Sequence, residues 1–115
     1  MAGINLTWRS PLWRPPTDVF ETEEAIVIRV EIAGLRQQDL KIELVGRSLS
    51  VRGSRLDSPV GRAYHQMEIH FGEFGIELEL PAAVTVESNS VVYEAGFLWL
   101  TLPKLRPVRA DKIDQ

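Results

Sequence analysis

The feature that most constrains this chain is an apolar period of two. In residues 25–32 the even positions Ile26, Ile28, Val30 and Ile32 are apolar, with Arg29 and Glu31 between them, and side chains that alternate this way fall on opposite faces of a β-strand. One face is core and the other mostly wet. The alternation returns in residues 41–45 with Ile42 and Leu44, and after Gly46-Arg47 in residues 48–52 with Leu49 and Val51, which predicts a hairpin. Met67, Ile69 and Phe71 then alternate on odd positions and Phe74, Ile76, Leu78 and Leu80 on even ones. The phase slips at Gly72-Glu73, predicting a bulge or bend there. Residues 90–94 and 97–102 make a last pair, with Leu98, Leu100 and Leu102 facing one way and Phe97, Trp99 and Thr101 the other, and Pro103 ends the pairing. Helical periodicity is nearly absent. Short alternating runs broken by glycine, proline and polar turns predict an all-β, antiparallel sandwich.

The chain of 115 residues suffices for one domain with a real core. It has no cysteine, which excludes a disulfide scaffold, a thiolate zinc site and a cysteine nucleophile, and fits a reducing compartment. No apolar run approaches the roughly 20 residues of a membrane span, and the N-terminal residues lack a continuous apolar segment with a cleavage site. The expectation is a cytoplasmic protein without membrane contact. A net charge of -3 with mixed signs offers no basic stripe for phosphates, so nucleic acid is not expected as a partner. Asn5-Leu6-Thr7 matches a glycosylation acceptor, a tripeptide that also occurs by chance and here has no secretory signal beside it.

Residues 1–16 combine two tryptophans with prolines at 11, 15 and 16, a pattern with neither helical nor strand period. They read as an irregular arm, residues 17–103 as the sandwich, and the polar, basic residues 104–115 as an extension. Residues 53–64 are long for a sandwich connection.

Within the sandwich a series of fragments follows in order: Asp18-Val19-Phe20-Glu21, Ala33-Gly34-Leu35, Asp39-Leu40-Lys41-Ile42, Leu49-Ser50-Val51-Arg52-Gly53, Tyr64-His65, Gly72-Glu73-Phe74, Leu80-Pro81, and Val91 through Leu98 followed by Thr101-Leu102-Pro103-Lys104. Together they resemble the small heat-shock proteins of bacterial type, the α-crystallin domain family. The resemblance covers residues 17–104. It implies an immunoglobulin-like β-sandwich (α-crystallin domain) of seven to nine strands that forms a homodimer and, in some members, a larger homo-oligomer. It further implies a chaperone that holds partly unfolded client proteins without ATP, with no cofactor and no enzymatic activity. Departures from the family pattern are Ala33 where proline is frequent, Val91 and Ala95 in place of alanine and asparagine, and Ile76 where an arginine commonly follows G-x-F. The arm is short, and the tail offers only Lys112-Ile113-Asp114-Gln115 in place of a full I-x-I anchor.

The resemblance also proposes sites. A slot between two sheet edges, able to accept an extended segment, maps onto Ile42, Leu44, Ser90 and Val92; alternation by itself equally allows these to be core. Leu56 and Val60 become anchors of a loop that exchanges onto the partner's edge at Asp18, Val19 and Phe20. Trp8 and Trp13 become client contacts, or else cover the arm's own sandwich; Ile113 becomes a tail anchor. An apolar stripe of Val27, Phe97 and Trp99 on an outer sheet face invites cover by the arm or by a neighbouring subunit. His65, Glu68 and His70 do not make a metal site, since in a strand 65 and 70 point to opposite faces. Glu73, Glu77 and Glu79 read as a solvated strand face, and neither a phosphate loop, a G-x-S-x-G elbow nor an H-E-x-x-H appears. Two rivals stay open on fold grounds: a CS-domain co-chaperone binding a folded partner, and a carbohydrate-binding sandwich using Trp99.

Overall fold

The computed structural model of this chain describes residues 12–58 and 60–106. Among them are seven strands: β1 (Thr17–Glu21), β2 (Ala25–Glu31), β3 (Lys41–Val45), β4 (Ser48–Arg55), β5 (Gly72–Glu79), β6 (Val91–Glu94) and β7 (Phe97–Pro103), with a short 3-10 turn at Gln37–Asp39. They form two antiparallel sheets, ordered β1-β2-β7-β6 and β3-β4-β5.

The register explains the core. Ile26, Ile28 and Val30 of β2 stand opposite Leu102, Leu100 and Leu98 of β7, so both apolar phases meet on one face. On the other sheet Val51 stands between Ile42 and Ile76, and Leu49 between Leu44 and Leu78. Pressing these faces together leaves Ile26, Ile28, Val30, Leu49, Phe74, Leu98 and Leu100 with no exposed surface, and each such side chain contributes about 1.5–3 kcal/mol of burial. Ile76, at the position where the resemblance implies an arginine, belongs to this cluster at 3% exposure, where an unpaired charge would be costly.

The connections follow from turn chemistry. The Thr22 hydroxyl accepts the Ala25 N–H at 3.0 Å and closes the β1–β2 hairpin. Gly46 (φ 62°) turns β3 into β4. Ala95 and Gly96, at φ 53° and 83°, supply the two left-handed residues that a tight hairpin between β6 and β7 favours. Tyr93 fixes the chain after β2: its hydroxyl donates to the Ile32 carbonyl at 2.7 Å and accepts the Leu35 N–H at 3.3 Å. Lys104, where the extension is predicted to begin, is buried. Its Nζ lies 2.5 Å from the Glu21 carboxylate, its N–H bonds the Glu24 carbonyl, and it bridges Val84.

One strand predicted from alternation is absent. Among the described residues of 56–71 there is no strand, and Met67 and Ile69 are exposed at 62% and 65%. The β4–β5 ladder closes at Arg55 opposite Gly72, and beyond that pair residues 67–71 have no neighbouring strand to complete their hydrogen bonds. Gly72, at φ 92°, marks the break.

Candidate functional site

Three surface features coincide with breaks in the two sheets. The first is a groove of about 650 Å³ along the free edge of β3, walled by Ile42, Leu44, Gly46 and Arg47 on one side and by residues 83–86 and Leu105 on the other. Ile42 and Leu44 are half-buried: they pack on the core from above and present their remaining surface to the groove. Ser90 and Val92, the other two residues predicted here, lie elsewhere. Ser90 is 2% exposed; its Oγ accepts the Glu87 N–H at 2.9 Å and its carbonyl accepts the Thr101 N–H at 2.9 Å, so it staples a turn. Val92 is exposed on the outer face opposite Trp99, while Val91 and Tyr93 take the inward phase of β6. The wall residues that the sequence reading missed are Val84 and Val86. Their only signal is a brief alternation with Ala82, too short to separate from loop.

The second feature is the β1 edge together with the long loop. Among the described residues strand β1 pairs only with β2, and none of them pairs with its other side. Val19 stands opposite the fully buried Ile28 on the inward face, yet it is 43% exposed. Asp18 and Phe20 point outward beside Arg29 and Val27. In residues 56–71, Leu56 and Val60 are bare at 83% and 87%. The bend of that loop is held by Arg62, which donates to the Ser58 carbonyl, to the Asp57 carboxylate at 3.2 Å and to the Tyr64 hydroxyl at 2.7 Å. Desolvation works to raise the Asp57 pKa, but hydrogen bonds from the Ser58 N–H, Arg62 and Tyr64 outweigh it and hold the carboxyl below its usual range.

The third feature is the docked end of the arm. Trp13 lies parallel to β5, donating its N–H to the Glu73 carbonyl at 3.2 Å and accepting the Gly75 N–H at 3.0 Å. Its indole N–H reaches the Gly72 carbonyl at 3.3 Å. The ring stacks on His70 at 5.2 Å and leans on Phe74 at 5.4 Å, and the Arg55 guanidinium sits 4.7 Å from its centre. Trp13 therefore covers its own sandwich, and His70 is engaged by an aromatic ring. Trp8 and Ile113 lie outside the described residues.

On the outer face of the first sheet, Arg29 lies between Phe20 (5.7 Å) and Trp99 (5.3 Å) and pairs with Asp18. Asp18, Arg29 and Trp99, together with Pro16, Glu31 and Phe97, line an open depression of about 350 Å³. Val27, predicted to share an outer-face apolar stripe with Phe97 and Trp99, is 7% exposed, covered within its own sheet between Phe20 and Thr101. Among the described residues, no three His, Cys, Asp or Glu side chains are placed to share a metal ion.

A two-sheet antiparallel sandwich with a grooved edge, a bare edge strand and a long apolar loop between β4 and β5 is the architecture of an α-crystallin-type domain. The chain belongs to the Hsp20/alpha crystallin family, whose pattern matches residues 18–114. It is 28% identical over 102 residues to the "Small heat shock protein C2" of Rickettsia felis, covering 87% of this chain and 66% of that one. It is 39% identical over 88 residues to the "22.7 kDa class IV heat shock protein" of Pisum sativum, covering 74% and 45%. The chain thus spans between about half and two thirds of the length of these relatives. Among solved structures, the fold is similar to heat shock protein 16.0 from Schizosaccharomyces pombe (TM-score 0.74, 22% identity, 84% of this chain and 92% of that one). It is also similar to hspA from Xanthomonas axonopodis (TM-score 0.75, 20% identity, 85% and 100%).

Proposed function

We propose that this chain is an ATP-independent holdase of the cytoplasm that works as a homodimer, and in larger homo-oligomers, by binding apolar segments of partly unfolded client proteins. The observation that carries the reading is a pair of complementary defects in one molecule: an unpaired β1 edge with Val19 and Phe20 part-exposed, and a loop whose Leu56, Val60, Met67 and Ile69 are all at least 62% exposed. A soluble chain seldom leaves both uncovered. Exchange of the loop onto the partner's β1 edge satisfies both in a symmetric pair.

Client holding rests on the β3 groove. Free backbone groups along β3 offer hydrogen bonds to any extended segment, and the half-buried Ile42 and Leu44, facing Val84 and Val86, offer pockets for alternate side chains. Backbone-dominated contact is tolerant of sequence, as a holdase requires. The heat-shock names of the relatives support the same reading. The test is suppression of heat-induced aggregation of an unrelated protein in the absence of nucleotide. Turbidity that rises unchanged at equal mass of this protein would overturn the proposal.

A further inference from the structure

Residues 8–11 and 13–16 spell the same pattern, Trp-Arg-x-Pro, five positions apart: Trp8-Arg9-Ser10-Pro11 and Trp13-Arg14-Pro15-Pro16. The second copy shows what the pattern does. Its tryptophan completes β5 through two backbone bonds and is clamped between His70 and Arg55, and its first proline is buried. The residue before it, Leu12, occupies a notch made by a glycine: a Cβ on Gly75 would stand 2.8 Å from Leu12 Cδ1. Charge agrees with shape. Residues 1–17 contain Arg9 and Arg14 and no acidic residue, whereas the outward face of β5 carries Glu73, Glu77 and Glu79.

We propose that the β5 edge is a docking site for this pattern, and that residues 7–11 are its second occupant, taking the site in the same molecule in a register shifted by five residues. Pro15 and Pro16 are held independently of Trp13, the latter through its carbonyl, which accepts the Glu31 N–H at 3.0 Å. With Trp8 in the clamp, residues 9–14 form a short bulge between the site and Pro15. This bulge takes the place of the single residue Arg14, so the shifted register carries a closure cost that the structure's register lacks, although that cost grows only slowly with loop length. The first copy is the weaker ligand. It brings Thr7 where Leu12 fills the notch, and Ser10 where Pro15 is buried, so less apolar area is covered and the register of the structure dominates. The shifted register keeps the β5 edge covered against unwanted strand pairing while freeing Leu12 and Trp13 for an apolar partner. None of this depends on the holdase reading.

The test is amide hydrogen exchange at Gly75, whose N–H is bonded by the Trp13 carbonyl, in Trp13→Ala, Trp8→Ala and the double variant of the full chain. The Thr101 amide, bonded to the Ser90 carbonyl across the other sheet, reports that the fold is intact. With two occupants, Trp13→Ala keeps Gly75 protection within about tenfold of the parent, and adding Trp8→Ala lowers it by about a further hundredfold. Trp8→Ala alone leaves it unchanged. The same cycle with Leu12→Ser in place of Trp13→Ala weakens the resident copy without removing its ring, and serves if Thr101 protection falls. Equal protection in the single Trp13 or Leu12 variant and its double overturns the proposal. So does protection in the single variant that declines on dilution, because the occupant would then be a second molecule.

Discussion

The Phe74 ring lies where a side chain on Gly53 would have to be: a Cβ there would stand 2.5 Å from Cζ of Phe74 and 3.2 Å from the Asp39 carbonyl oxygen. The two residues are cross-strand partners on the inward face of β4 and β5, so the missing side chain of one is the space filled by the other. Phe74 is fully buried, so any retreat of its ring has to displace packed neighbours. Gly53→Ala is therefore expected to destabilise the fold by about 1–3 kcal/mol through overpacking, read as a lower urea midpoint. An unchanged midpoint would mean that the Phe74 ring has another rotamer open to it.

Leu98, the second residue of β7, stands opposite Val30 and Tyr93 with no exposed surface. Leu98→Ala should cost about 2–5 kcal/mol, the transfer of the lost methyl groups plus the cavity they leave. Denaturant melts measure it, and a loss below this range would show that neighbouring side chains collapse into the hole.

Tyr93 holds the chain after β2 by a hydroxyl that both donates and accepts. Tyr93→Phe keeps the ring but leaves the Ile32 carbonyl and the Leu35 N–H without it. The expected cost is about 1–3 kcal/mol, to the extent that water does not replace the hydroxyl, measured by the same melts.

Ala95 adopts φ 53°, a left-handed conformation that costs a residue with a Cβ roughly 1–2 kcal/mol and that asparagine adopts more readily. Ala95→Asn is expected to raise stability by about 1 kcal/mol, seen as a higher thermal midpoint. A neutral or lower midpoint would indicate that the β6–β7 turn tolerates alanine by contacts of its own.

The sheets were legible in the sequence because burial on one face leaves a period of two, and Ile26 to Val30 and Leu98 to Leu102 show it without interruption. The same signal misled where no neighbouring strand lies: Met67, Ile69 and Phe71 alternate but pair with no strand among the described residues. Phase near a strand end was equally hard to read. Ser90 and Val92 share a parity with each other, but the inward side chains are Val91 and Tyr93, and the serine is buried by its turn. Groove walls such as Val84 and Val86 come from an irregular segment whose position depends on the Val84–Lys104 bridge, a contact between residues twenty apart that no local pattern announces. Docking of Trp13 depends likewise on the Gly75 notch and on Arg55, both remote in sequence.

The loop between β4 and β5 gives the most direct test of assembly. Its side chains Leu56 and Val60 contribute little to the core of their own molecule, since both are more than four-fifths exposed. Shortening the loop should therefore leave the melting curve of the sandwich at low concentration nearly unchanged, within the roughly ±0.5 kcal/mol typical of surface changes. If the loop pairs with the partner's β1, the same deletion removes the cover of Val19 and Phe20 and the hydrogen bonds along that edge. Deleting residues 56–61 is then expected to convert dimers into monomers in light scattering at micromolar concentration. The exposed edge would be left prone to slow aggregation, which an Asp at Val19 should suppress by placing a charge on it. Dimers that persist after the deletion would assign the contact to another surface, with the aromatic face around Arg29 and Trp99 the next to be mutated.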